Sequence, residues 1–457
     1  MSMRTALGLD RPVAYVFLAR LVAIAGSTGT VLLIVRFLNS VEQGYYYTLL
    51  SLVSLQTVFE MGFSFVIQQL AAHECVHLDI KTDGTVSGDA VAHARLASAL
   101  QLSRRWYMVA TVAMGLLLAP LGTVFFARHQ AAPAVQIAWL GPWLLAVAVS
   151  MAGLWCTPFY SFLEGCGQIR AVAAMRLRQA IVTVVVAWAA MLLHRGLYAP
   201  ALALAGQVAT GLLFLATRRR LLAGLLRHPA REAAIEWNRE VWPFQWRIGV
   251  SWMCSYFTAQ IFIPILFALR GASEAGKMGM SLSITGYMTS LVLPWITTKA
   301  TPFGRLIAQG EFHELDRLFL RTLGQALAVF AVIALAADVA VALVAHVAPA
   351  LAARMVSPQL FAVLILAAGA NCVVQSLATL LRSFKREPYF IQSLAVASFT
   401  LTLAVIAAPR WGNAGVTFTY LAVTAGFGLP SALTIFTRAR RGYLALSPLA
   451  ASGGQPG

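Results

Sequence analysis

Apolar residues dominate this chain in runs of about 20 or more, separated by short polar gaps. A helix needs about 20 apolar residues to cross the hydrocarbon core of a bilayer. Inside lipid, helices and closed barrels are the structures that satisfy their own backbone polar groups. The pattern predicts twelve transmembrane helices, over 12–37, 45–71, 103–127, 134–163, 171–194, 197–217, 244–269, 278–300, 318–345, 358–381, 389–408 and 414–437. The expected fold class is an all-α polytopic membrane protein. The two longest polar segments are 72–102 and 218–243. The first ends in Ala92–Leu100, which reads as an amphipathic helix at the membrane interface.

Charge fixes the expected orientation. The 457 residues are 59% hydrophobic and 11% charged, against roughly 25% charged in soluble domains. With the N-terminus inside, 26 of the 34 Lys and Arg fall in cytoplasmic segments, seven fall on the other side, and Arg20 lies within the first span. That asymmetry predicts that both termini face the cytoplasm. Most of the net charge of +17 is then an orientation signal facing anionic membrane lipids. No basic soluble domain is present to bind nucleic acid. The five cysteines are odd in number and contain no Cys-x-x-Cys, so neither a disulfide framework nor a cysteine zinc site is expected. The first apolar run, preceded by Arg4 and Arg11, is too long for a signal-peptide core and reads as a retained helix.

The spacing of matched motifs suggests two halves. Pro12 precedes Glu42-Gln43-Gly44 by 30 residues, and Pro243 precedes Glu274-Ala275-Gly276 by 31; Leu163-Glu164 and Leu381-Arg382 close the fourth and tenth segments. The implied organisation is an N-terminal six-helix lobe (1–217), a cytoplasmic linker (218–243), a pseudo-symmetric C-terminal lobe (244–437) and a tail (438–457). Parallel repeats of this kind build central sites in many transporters.

His73-Glu74-Cys75-Val76-His77 spells His-Glu-x-x-His, which on a helix places two histidines on one face for zinc with a glutamate base. A membrane zinc protease is the reading it supports. Against it, the chain turns polar at once with Asp79, Lys81 and Asp83, and Asp79, Asp89 and His93 have no diagnostic spacing as a third ligand. The expectation is a polar helix end, with no metal and no cofactor.

Arg20 is the charge that breaks the pattern. An arginine at that depth costs at least ~2.5 kcal/mol on insertion scales, so it requires a partner or a wet cavity. Glu60, at comparable depth in the second span, is its natural partner. A structural ion pair and a cationic wall for an anionic head group are compatible roles. Arg178, Arg247 and Lys299 lie near cytoplasmic helix ends, where snorkelling accounts for them without function. Gln260, Asn371 and Gln375 are polar within spans, the last two sharing a face at i, i+4. Asp338 reads as an interfacial acid or a proton or cation site. Tyr45-Tyr46-Tyr47 reads as an aromatic belt at the outer interface, sugar stacking being the alternative. Pro142, Pro158, Pro264 and Pro294 predict bent helices.

The run Arg36-Phe37-Leu38-Asn39-Ser40-Val41-Glu42-Gln43-Gly44-Tyr45-Tyr46, followed by Glu60-Met61-Gly62-Phe63 and Leu163-Glu164-Gly165-Cys166-Gly167-Gln168, resembles the multidrug/oligosaccharidyl-lipid/polysaccharide (MOP) exporter superfamily. The nearest branch is that of the bacterial polysaccharide and O-antigen flippases. The resemblance implies two six-helix lobes around a cavity that opens alternately to either side, with no bond chemistry. It implies a polyprenyl-pyrophosphate-linked oligosaccharide as cargo, and a polysaccharide polymerase and other assembly proteins as partners. Arg20, with Glu60, Arg178, Arg247, Gln260, Lys299, Asn371 and Gln375, would line the substrate cavity, since guanidinium groups bind diphosphate well. A cation-coupled drug exporter is the alternative, with Glu60 and Asp338 as ion-coupling acids. A glycan polymerase or ligase would show a large external loop, and none is visible.

Overall fold

The computed structural model describes residues 11–80, 85–129, 137–228, 235–384 and 388–445. Arg4, Lys81, Asp83, Arg231, Lys385, Arg386 and the end of the expected tail lie outside them. Each apolar run forms helix. In chain order these are α1 (Arg11–Phe37), α2 (Ser40–Val53), α3 (Gln56–Glu60), α4 (Phe63–Glu74), α5 (Ala90–Arg128), α6 (Leu140–Gly165), α7 (Ile169–Leu192), α8 (Ala199–Thr217), α9 (Arg219–Arg227) and α10 (Trp242–Ala259). There follow α11 (Phe262–Arg270), α12 (Ala272–Val292), α13 (Pro294–Thr297), α14 (Ala300–Gln309), α15 (Phe312–Val347), α16 (Pro349–Ala352), α17 (Pro358–Arg382), α18 (Phe390–Leu421) and α19 (Leu429–Ala445). Single π-helical stretches, Trp237–Val241 and Ala422–Gly428, lead into α10 and α19. Eight helices are long and apolar enough to cross a membrane, and ten if each of two bent pairs is one span. The chain is a multi-pass membrane protein.

Two compact units divide the chain, residues 1–253 and 254–457. In the first, α1 lies along α7, α7 along α8, and α6 against α4, α5 and α8. Small residues set the α1–α7 approach. A Cβ on Gly26 would meet Val184 Cγ2 at 2.1 Å, and one on Gly29 would meet Trp188 Cζ2 at 2.3 Å. The Trp188 indole N–H donates across the same contact to Thr30 Oγ1 (3.0 Å). In lipid, where tails are as apolar as leucine, such close backbone packing is what holds helices together. In the second unit, α11 packs on α12 and α18, α15 on α17, and α17 on α12, α18 and α19.

The turn between α1 and α2 carries its own signal. Asn39 Oδ1 accepts from the Val41 and Glu42 amides while the Glu42 carboxylate accepts from the Asn39 amide, a complete capping box. Gly412 (φ 53°, ψ −132°) reverses the chain within α18. A Cβ on Gly415 would lie 2.7 Å from the Ala407 carbonyl oxygen. Eight residues of continuous helix would separate them by about 12 Å.

The expected helical class holds, with a short antiparallel hairpin of Leu78–Ile80 and Val86–Gly88 between α4 and α5. Several other sequence expectations are corrected. Ala92–Leu100 is no separate interfacial helix but the start of α5, with Leu96, Ala97, Ala99 and Leu100 buried. The three tyrosines do not form a lipid-facing belt. Tyr45, Tyr46 and Tyr47 are 2%, 6% and 5% exposed, and Tyr45 stacks on Phe126 at 5.5 Å. Consecutive helical residues point about 100° apart, so all three are buried because protein encloses α2. The expected second span is three helices, α2–α4, bent by 44°, and the seventh is two, α10 and α11, bent by 42°. Pro294 starts a new helix after α12, and Pro264 sits in the first turn of α11, where a missing amide is tolerated.

Candidate functional site

An acidic residue marks the bend of the second apolar segment. Glu60 ends α3, and Met61 (φ 52°) and Gly62 (φ 64°) both take the left-handed conformation before α4 begins. Glycine accepts that backbone at no steric cost; methionine does not. The site compensates from α10. Gln245, fully buried, donates its side-chain amide to the Met61 carbonyl oxygen at 2.7 Å, satisfying an acceptor that the bend releases. Gly249 gives Met61 room, since a Cβ there would stand 2.7 Å from its Cε.

Glu60 is half-buried, and its described partners are hydroxyls. Tyr107 Oη donates at 3.4 Å, and Ser64 hydrogen-bonds the same carboxyl one turn on. An aromatic cluster flanks it: Phe63 lies edge-on to Trp106 and Trp237, and Trp106 stacks on Trp237 at 5.0 Å. A carboxyl held by hydroxyl donors at a helix break inside a hydrocarbon-embedded unit is suited to hold a proton or a cation.

The other expected site residues are placed as follows. Arg20 is half-buried on α1. Arg178 is exposed on α7, two residues beyond Arg176, which pairs with Glu164 at 3.0 Å. Arg247 is exposed, 5.5 Å over the Trp246 ring. Lys299, exposed, precedes α14, and Gln260, exposed, sits at the α10–α11 bend. In the second unit Asn371 hydrogen-bonds Tyr420, Gln375 is exposed one turn later, and Asp338 is half-buried on α15.

His73-Glu74-x-x-His77 does not lie on one helix. α4 stops at Glu74, Cys75–His77 is a single 3₁₀ turn, and a strand follows. The two histidines are exposed, and Glu74 turns inward to an ion pair with Arg95 Nε at 2.9 Å. Among the described residues no group of three or more His, Cys, Asp or Glu could hold a metal ion.

That arginine anchors a network the sequence reading missed. Arg95 also binds Glu240 in the π-helical stretch before α10. Ser98 Oγ accepts from the Ile235 amide at 3.0 Å, and Gln101 donates to the His228 carbonyl oxygen at 2.9 Å. Residues 219–228 and 235–241 are thereby fastened to α4 and α5. The Arg95 hydrogen bond, with the Glu236 amide, holds the Glu240 carboxyl below its ordinary range. Glu74, Arg95 and Glu240 are far apart in sequence, so no spacing rule finds them. Gly62 beside Met61 in an apolar run was the readable sign of the bend.

No family model matches the chain, and no curated protein matches it in sequence. Solved structures do match over nearly its whole length. An inward-facing multidrug resistance MATE family transporter of the MOP superfamily is 15% identical, with a TM-score of 0.57, covering 92% of this chain and 98% of its own. A MOP superfamily transporter from Pyrococcus furiosus, described as having a binding pocket of reversed polarity, is 15% identical at a TM-score of 0.56, covering 96% and 97%. The lipid II flippase MurJ in an inward closed conformation is 11% identical at 0.57, covering 98% and 93%. The chain has the fold of MOP-superfamily transporters.

Proposed function

We propose that this chain is a membrane transporter of the flippase kind. It moves a polyprenyl-pyrophosphate-linked oligosaccharide, or a related polysaccharide precursor, from the cytoplasmic to the periplasmic leaflet of a bacterial inner membrane by alternating access. No bond is made or broken. The observation that carries the reading is Arg20: a guanidinium kept at intramembrane depth in α1 suits a diphosphate anion. The likeness to a lipid II flippase over nearly the full length supports a lipid-linked cargo.

A twelve-helix organisation with cytoplasmic termini accompanies this proposal. To the ten spans, the reversal at Gly412 adds an eleventh by dividing the 55-residue run Phe390–Leu444, which as one rod would be about 80 Å long. Ala272–Val292 with Pro294–Thr297 supplies the twelfth. Arg20→Ala tests the reading. Lipid-linked glycan should accumulate unexported in cells carrying the variant, and wild-type export by a correctly inserted variant would sink the role of Arg20.

The bend at Glu60 favours a second reading, a cation-coupled solute exporter, in which its hydroxyl-bonded carboxyl carries the coupling ion. In vesicles with an imposed proton or sodium gradient, Glu60→Gln would then abolish drug uptake. Drug movement equal to wild type would remove this reading and leave the first standing.

A further inference from the structure

The helix α8 of the first unit does not end in a plain loop. α8 passes through Arg218 directly into α9. Its 19 residues make a rod about 28 Å long, close to the hydrocarbon thickness of about 30 Å. α9 therefore begins where the phosphates of a leaflet lie.

One face of α9 is spent on the protein. Leu221, Leu222 and Leu225 are buried against α5 and α8, and Gln101 caps the carbonyl end of the helix. The other face carries charge. Arg219, Arg220 and Arg227 are exposed, and Arg218 is half-buried with its guanidinium 5.9 Å from the Phe214 ring. Arg218 Nε is buried and donates to no acceptor. Among the described residues no acidic side chain pairs with any of these four arginines. Arginines of the second unit are not all left this way. There Asp316 takes Arg440 in a two-pronged pair at 2.7 and 2.6 Å.

Four uncompensated arginines within ten residues, held rigidly at headgroup depth with an orphaned donor, form a site for a phosphodiester anion, whose oxygens match the guanidinium fork. We propose that the α8–α9 elbow binds the headgroup of an anionic membrane phospholipid. This does not depend on what the protein transports.

The test is lipid retention by native mass spectrometry after extraction from nanodiscs of mixed phosphatidylglycerol and phosphatidylcholine. The wild-type protein should keep phosphatidylglycerol selectively. R218Q/R219Q/R220Q should lose at least about tenfold of that retention, given the usual contribution of each arginine near an anionic surface. R438Q/R441Q, which removes exposed charge from α19, should retain wild-type binding. Should the glutamine variant fail to insert, R218K/R219K/R220K keeps the orienting charge but loses the fork, and should bind more weakly than wild type. Wild-type retention in either elbow variant that inserts overturns the proposal, as does an equal loss in R438Q/R441Q. Displacement of the lipid by millimolar inorganic phosphate would show a free-phosphate site instead and would equally overturn it.

Discussion

Replacing Arg95 by methionine should destabilise the first unit far more than removing either of its acidic partners. The Glu74 side chain is 7% exposed, Arg95 29% and Glu240 35%. Methionine preserves most of the aliphatic volume but leaves Glu74 as a charge with little water and no cation. Breaking a fully buried pair this way costs about 3–5 kcal/mol. Partial exposure of Arg95 reduces that to about 2–3 kcal/mol, and the wetter arm to Glu240 adds about 0.2–1 kcal/mol. For a unit of this size each kcal/mol moves the apparent Tm by about 2–4 °C. R95M should therefore lower it by about 4–16 °C, and E240Q by no more than about 4 °C. Trp106 and Trp237 report directly in scanning fluorimetry of detergent-purified protein, because their stacking depends on the docked segment. The double variant E74L/R95M removes both charges and should recover much of the loss. An R95M shift no larger than that of E240Q, or no recovery in the double variant, would refute the claim that an unpaired Glu74 is what costs the stability.

The same network predicts a pH dependence. Because the folded Glu240 carboxyl lies below its ordinary value, its contribution is complete above about pH 4.3 and is lost as pH falls through the depressed folded value; E240Q should flatten that acid limb of a Tm-against-pH profile. At the α1–α7 contact, Gly26→Val drives methyl groups into Val184, a branched side chain with little rotamer freedom. Overpacking there should cost about 1–3 kcal/mol, and an unchanged Tm would contradict the packing described. Finally, His73→Ala with His77→Ala should leave both the Tm and zinc content of the purified protein unchanged, since both rings are exposed and the helix ends between them; loss of stoichiometric zinc would revive the metal reading.

Much of the helix plan was readable from composition alone. Arg11–Phe37, Ile169–Leu192 and Pro358–Arg382 lie within two residues of the ends expected for them, because a bilayer imposes one length on every apolar segment. Polar context also predicted correctly that the helix would stop inside His73–His77. The buried tyrosines were misread because an apolar aromatic on a span faces lipid or protein with equal hydropathy. The start of α5 was misread for a related reason: amphipathic patterning records that a face is covered, not whether headgroups or a docked segment cover it.

What the sequence determined by itself was that this chain crosses a membrane many times, where most of its helices run, and that Arg20 and Glu60 are exceptional charges within them. What only the tertiary structure decided was how those charges and bends are held. Gln245 supports the Met61 carbonyl from 184 residues away, and Arg95 reaches Glu240 across 145. Hydropathy is summed over neighbours in the chain, whereas a satisfied carbonyl or a paired carboxylate depends on atoms within about 3 Å in space, which folding alone brings together.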